Sequence, residues 1–177
     1  MSRTTIFAAP ESGPFVPVAE FQNSWGSAMY VWNALGKKYF GNDCYVLFSA
    51  DSFWPLWKDP RLTEDERATF VSTFDKCLVR AGDARRLAKL FREFVRRHPR
   101  AGVVCHLPAM ADVLDDLPAR CDGFAPAAVG WRQTSVSENP WWVRTGEDEG
   151  RPYDLSLDAG HFFLFEELDR RVPVESL

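Results

Sequence analysis

Residues 63 to 98 read TEDERATFVSTFDKCLVRAGDARRLAKLFREFVRRH, and they hold the strongest helical signals of the chain. Thr63 and Glu66 have the spacing of a capping box, in which each side chain bonds a backbone N–H group at the start of a helix. A second apolar periodicity begins after Gly82 and continues to His98. We therefore predict two helices joined near Gly82 in a helical hairpin.

Weaker patterns flank this pair on both sides. Within residues 18 to 40, large apolar side chains recur three and four positions apart, which predicts another amphipathic helix. Pro108 suits the first position of a helix, and we predict one over residues 108 to 117. Residues 4 to 8 and 102 to 106 are short and apolar, which indicates two short strands.

The pattern changes after Pro118, where helical periodicity disappears and turn residues bracket short apolar runs. These runs predict strands within residues 127 to 136, 141 to 144, 153 to 157 and 161 to 168. The predicted fold class is α+β, with a helical N-terminal two thirds of about four helices packed on a small, mainly antiparallel C-terminal sheet. We predict a single domain over residues 1 to 177, with a possible subdomain change near residues 118 to 124.

Composition excludes some classes of function. The net charge of −4 argues against nucleic-acid binding by the whole surface, which normally needs a basic field. No apolar run is long enough to span a membrane, and none near Met1 is long enough for a signal peptide. We therefore expect no membrane contact and a cytoplasmic location.

The four cysteines predict no metal or disulfide framework. Cys44, Cys77, Cys105 and Cys121 lie far apart, and no pair has the spacing of a zinc module. We interpret them as free thiols, three of them in the core. We predict no metal and no cofactor.

Two features suggest a contact surface. The helix predicted after Gly82 carries a run of cations, and nucleic acid could bind only there. Its arginines are candidate contacts for a protein partner: Arg85, Arg86, Arg92 and Arg96. Trp141 and Trp142 are adjacent, so on a strand they face opposite ways, and one of them can remain outside as an apolar anchor.

The leading hypothesis is a non-enzymatic protein-binding or accessory protein that uses the arginines and an exposed tryptophan. The alternative is a small enzyme, a hydrolase or a transferase, with a cleft between the helices and the C-terminal strands. Its first acid and base candidates are His161, His106 and Glu166. The sequence identifies neither the partner nor the oligomeric state.

Overall fold

The computed structural model describes residues 2–47, 52–136, 138–146 and 149–171. The chain begins with an antiparallel hairpin of two strands, β1 (Arg3–Ala9) and β2 (Val16–Gln22). The predicted architecture is therefore wrong, because strands are spread through the chain and the N-terminal part is not purely helical. The main sheet has five strands, and its first two come from the first 22 residues.

After β2 come three helices, one strand, three more helices, four strands and a final helix among the described residues. They are α1 (Ala28–Phe40), α2 (Cys44–Leu47), α3 (Glu64–Val71), β3 (Cys77–Arg80), α4 (Ala84–Arg97), α5 (Leu107–Asp115), α6 (Leu117–Arg120), β4 (Ala128–Arg132), β5 (Trp142–Arg144), β6 (Gly150–Pro152), β7 (Phe162–Phe163) and α7 (Leu164–Arg171). Short 3-10 turns lie at Ser24–Gly26, Trp54–Lys58 and Ala81–Asp83.

The order in the main sheet is β2-β1-β4-β3-β7. Neighbours are antiparallel except β3 and β7, which are parallel. Strands β5 and β6 form a separate antiparallel pair. Because β4 lies between β1 and β3, strands from before and after residues 118 to 124 belong to the same sheet.

Alternation along the strands divides the core into two layers. In β1, Ile6 and Ala8 pack into the large cluster formed with the helices, whereas Phe7 and Ala9 belong to a smaller cluster on the opposite face. Successive strand residues point to opposite faces, so a sheet covered on both sides needs such a continuous apolar run. Trp141 and its neighbours complete the smaller cluster.

Local start signals were predicted correctly, and segment boundaries were often wrong. The capping box at Thr63 and Glu66 begins α3, and the helix predicted after Gly82 is α4. The predicted helical hairpin is wrong, since β3 lies between these helices and pairs with β4 and β7. Lys76, just before β3, has φ 61°, a left-handed conformation that interrupts a helix.

Three more predicted segments differ from the structure. The first part of the helix predicted over residues 18 to 40 is strand β2, which is held by its register with β1. Residues 102 to 106 form no strand. Of the run at 161 to 168, Phe162 and Phe163 pair in β7 and residues 164 to 168 lie in α7, which places Glu166 on a helix.

The four cysteines are free, and Cys44, Cys77 and Cys121 are buried, as predicted. Within the described residues, no helix is long and apolar enough to cross a membrane.

Candidate functional site: a tryptophan groove

Three adjoining depressions form one groove on the surface. The first has a volume of 210 Å³ and the second 370 Å³, and they share Trp32, Gln133 and Thr134 in their walls. The third has a volume of 260 Å³ and shares Asp75 with the second. We call this surface the tryptophan groove, and its main lining residues are Trp25, Trp32, Trp54, Asp75, Gln133 and Trp142.

The groove is lined by the tryptophans that are not buried. The chain has seven tryptophans, and three of them are buried: Trp57, Trp131 and Trp141. Of the other four, Trp32 is partly buried, while Trp25, Trp54 and Trp142 are 50%, 37% and 47% exposed. All four line the groove. Large exposed aromatic groups gathered on one surface are unusual for a monomer and mark interaction sites.

Four separate parts of the chain bring these rings together. Trp25 lies in the 3-10 turn after β2, and Trp32 lies in α1. Trp54 begins the 3-10 turn before α3, and Trp142 begins β5. The site is therefore invisible as a local sequence motif.

Hydrogen bonds and ring contacts hold the middle of the groove. Trp32 Nε1 donates to Thr73 Oγ1 at 2.8 Å, and Thr73 Oγ1 donates to the carbonyl oxygen of Phe70 at 2.6 Å. The rings of Trp32 and Trp54 meet edge to face, with centroids 5.5 Å apart and planes at 88°. Gln133 Nε2 donates to the carbonyl oxygen of Ser72 at 3.1 Å. These contacts fix the walls before any ligand arrives.

One end of the groove carries charges of both signs, since Asp75, Lys76 and Glu138 all line the third depression. Asp75 is exposed and lines both the second and the third depression. Glu138 lies at the rim, where Arg144 approaches it at 3.2 Å in a pair that is open to solvent and therefore weak. The ammonium group of Lys76 lies 3.9 Å from the centroid of the Tyr153 ring, and burial lowers its pKa from the ordinary value.

The two predicted tryptophan anchors separate, one into the core and one onto the surface, although Trp141 lies in the turn before β5 and not on a strand. Trp141 is only 2% exposed, stacks on Phe15 at 4.2 Å and donates from Nε1 to the carbonyl oxygen of Trp131. It is a core residue and presents no surface to a partner. Trp142 remains in the third depression as an available ring.

The predicted arginine contacts lie on the outer face of α4. Arg86 pairs with Glu64 of α3, and its guanidinium lies over the ring of Phe165. Arg92 pairs with two carboxylates of α5, at Asp112 and Asp115. These contacts fasten α4 to its neighbours. Arg96 pairs with Glu93 on its own helix, and Arg85 is exposed. None of the four lines the groove.

The three residues proposed for an enzyme do not share a cleft. His106 Nε2 contacts the carbonyl oxygen of Gln22 at 2.7 Å, beside β2 at one edge of the sheet. His161 precedes β7 at the other edge, and its Nδ1 lies 2.7 Å from the hydroxyl of Tyr153. Four strand spacings separate these edges, about 19 Å. Glu166 accepts a hydrogen bond from Arg80 at 2.6 Å.

A second polar cluster lies under the helices, around the carboxylate of Glu66, whose residue is 0% exposed. Tyr39 and the backbone N–H of Thr63 donate to Oε2, while Lys38 and His98 Nε2 contact Oε1. Burial alone would raise the pKa of Glu66, but the hydrogen bonds from Lys38, Tyr39 and Thr63 outweigh it and lower the pKa to about 2. The carboxylate therefore joins α1, α3 and the end of α4 as a structural anion.

Across the part of the chain that the structure describes, no group of three or more His, Cys, Asp or Glu side chains is arranged to hold a metal ion.

Comparisons with protein-family models, with curated proteins and with solved structures found no match to the chain. The groove is therefore interpreted from its own chemistry. Sequence reasoning missed it because Trp25 and Trp32 fitted a helical core stripe, and the one available signal was the excess of tryptophan.

Proposed function

We propose that this protein is a binding module that holds an extended segment of a partner protein in the tryptophan groove. The observation that carries the proposal is that all four tryptophans that are not buried line this one surface. Tryptophan is among the residues most enriched where side chains dominate binding energy at protein interfaces.

The fixed position of Trp32 and the solvent exposure of the other three rings favour a binding role over a purely structural one. Trp32 is held by its hydrogen bond to Thr73 and by its edge contact with Trp54. A wall that is already ordered loses little conformational entropy when a ligand binds. The three more exposed rings leave apolar area in water, and a partner would remove that area from solvent.

The groove is more than one pocket long, which favours a chain-like ligand. Its three depressions extend from Trp25, through Trp54, to Trp142. A small metabolite would fill one depression and leave the other two open. A short peptide segment can place successive side chains in successive depressions.

The proposed function is still protein binding, as predicted from the sequence, but its main site is the tryptophan groove and not the arginines of α4. Trp142 remains a proposed anchor, whereas the arginines of α4 remain a predicted second contact surface. Their ion pairs are exposed, so a partner with acidic groups could compete for them at little energetic cost. A cytoplasmic location also remains a proposal.

A random peptide library displayed on phage tests the proposal, because it samples many segments and requires no named partner. The wild-type protein is the bait, and selected peptides are titrated against a Trp54→Ala variant. The matched control is Leu157→Ala, which removes a side chain that is 75% exposed outside the groove. We expect micromolar binders that lose at least about tenfold in affinity on Trp54→Ala and are unchanged on Leu157→Ala.

Thermal unfolding of both variants accompanies the titrations, so that lost binding is not confused with lost folding. Peptides that bind the wild type and Trp54→Ala equally would refute the groove as the site. A library that yields no binder to a folded bait would refute the binding of peptides altogether.

A further inference from the structure

We infer that the segment held in the groove is proline-rich, in the polyproline II conformation, and carries an arginine or lysine that contacts Asp75. This inference rests on the proposed function and specifies its ligand. It comes from the sheet edges, the aromatic walls and the charge of the groove.

Strand addition does not fit this site. It requires an unpaired strand edge, and the main sheet has its edges at β2 and β7. No residue of either strand is among those that line the groove. Gln133 and Thr134 follow β4, whose two sides are already paired with β1 and β3. The partner backbone therefore cannot extend the main sheet here. In the separate β5–β6 pair, β5 has only three residues, and of these only Trp142 is among the described residues that line the groove.

An amphipathic helix is also a poor fit. Grooves that bind helices offer a continuous, adaptable aliphatic trough, which is often rich in methionine. This groove is divided by upright indole rings, and the nearly perpendicular pair Trp32 and Trp54 lies where the first depression meets the second. Met29 is the one methionine among the described residues that line it.

A polyproline II segment matches ridged aromatic walls. It has three residues per turn and rises about 3.1 Å per residue, so every third side chain returns to the same face about 9 Å further on. Proline rings are flat and apolar, and they pack between aromatic side chains in known recognition grooves of this kind. The conformation is ordered before binding, which reduces the entropy lost.

Backbone carbonyls of such a segment need donors from the protein, because the segment makes no internal hydrogen bonds. Asn139 lines the third depression, and its Oδ1 accepts from the backbone N–H of Trp141 at 3.1 Å. This bond fixes which end of the amide is the acceptor. It leaves Nδ2 of Asn139 as a donor that can bond a ligand carbonyl.

The charge at the junction of the second and third depressions selects a cation. Asp75 lies there with no ion pair to any described residue, whereas Glu138 at the rim is already paired with Arg144 and the ammonium group of Lys76 lies over the ring of Tyr153. A guanidinium beside Asp75 would also lie near the faces of Trp54 or Trp142, where cation–π attraction adds to the ion pair. A basic side chain in the ligand is therefore favoured, and an acidic one is repelled.

Three synthetic ten-residue peptides test this inference by isothermal titration calorimetry. The first has proline at every third position and one arginine near an end. The second replaces that arginine with glutamate, and the third replaces each proline with glycine. We expect the first to bind at least about tenfold more tightly than either of the others. We expect Asp75→Asn to remove most of the difference between the arginine and glutamate peptides.

The outcomes separate this inference from the proposed function. Library binders that depend on Trp54 but lack proline, or that bind equally after Asp75→Asn, would overturn the inference and leave the groove as a peptide site. Equal affinity of the proline and glycine peptides would overturn it as well. Binding of a soluble oligosaccharide such as cellohexaose, with no peptide bound, would overturn both.

Discussion

Replacing Glu66 with glutamine should destabilise the fold far more than the same change elsewhere on α3. The wild-type carboxylate accepts from Tyr39 and the backbone of Thr63 on one oxygen, and it contacts Lys38 and His98 through the other. In the variant, one oxygen becomes an NH₂ group that faces donors. The groups that donate to the carboxylate then lose an acceptor. The negative charge that faces the Lys38 ammonium is lost as well.

The size of the loss follows from the pKa. Lowering the pKa of Glu66 from 4.5 to about 2 corresponds to roughly 3 kcal/mol at about 1.4 kcal/mol per pH unit. Removing one partner of a fully buried charged pair costs about 3–5 kcal/mol, and the loss here should lie at the lower end of that range because the Lys38 side chain is 45% exposed. For a chain of this size we expect Tm to fall by about 10 °C.

The pH dependence distinguishes this cause from a general packing defect. A carboxyl whose folded pKa is depressed stabilises the fold above its unfolded pKa, and the stabilisation disappears as pH falls toward the folded pKa. The difference in unfolding free energy between wild type and Glu66→Gln should therefore shrink as pH falls from 4.5 toward about 2.

Urea titrations monitored by circular dichroism at several pH values measure this difference. The matched control is Glu64→Gln, in the same helical turn, where the side chain is exposed and pairs with Arg86. That change should alter stability by less than about 1 kcal/mol. Equal losses in the two variants, or a difference for Glu66→Gln that does not change with pH, would refute the reasoning.

Further predictions concern the small core layer and His161. Trp141→Ala should lower the free energy of unfolding by about 3–5 kcal/mol in urea titrations, since the side chain is buried and stacked; Trp142→Ala should change it by less than about 1 kcal/mol, because that ring is about half exposed. Gly130→Ala should cost about 1–3 kcal/mol, because the new methyl group would overlap the Trp141 ring, whereas Gly82→Ala meets nothing within 4 Å and should leave Tm nearly unchanged. Burial lowers the pKa of His161 from 6.5, so its NMR titration should have a midpoint below that value, and its contribution to stability should be lost as pH falls through and below 6.5. A midpoint above 6.5 would contradict the burial of the ring.

The sequence predicted the features that depend on near neighbours. The capping box at Thr63 needs only Glu66, three residues away, and the start of α3 followed from it. The apolar face of α4 likewise repeats within its own turns. One of the adjacent residues Trp141 and Trp142 is buried and the other about half exposed, but Trp141 lies in the turn before β5, so strand alternation is not the cause.

Features that depend on distant pairing were not predicted. Phe21 and Trp25 fitted a helical period, yet the segment containing Phe21 pairs with β1, and Phe21 lies opposite Thr4. The register of β1 with β4 joins residues that are far apart in the chain, such as Thr5 and Arg132, and no local pattern specifies it. For this reason the prediction of a sheet built only from the C-terminal third of the chain was wrong.

The tryptophan groove was not predicted either, because it too depends on contacts between distant parts of the chain. Its rings lie between positions 25 and 142, and each one sits in a segment that also has an ordinary core interpretation. Only the folded chain shows which rings remain in solvent. The number of tryptophans fitted either a core rich in aromatic rings or an exposed binding patch.

NMR of the seven indole N–H groups tests the central claim most directly. The signals are assigned by Trp→Phe variants and followed while the proline- and arginine-containing peptide is added. The account predicts shifts for Trp25, Trp32, Trp54 and Trp142, with the signals of Trp57, Trp131 and Trp141 nearly unchanged. Unchanged signals from the four groove tryptophans, with the peptide bound elsewhere on the protein, would contradict it.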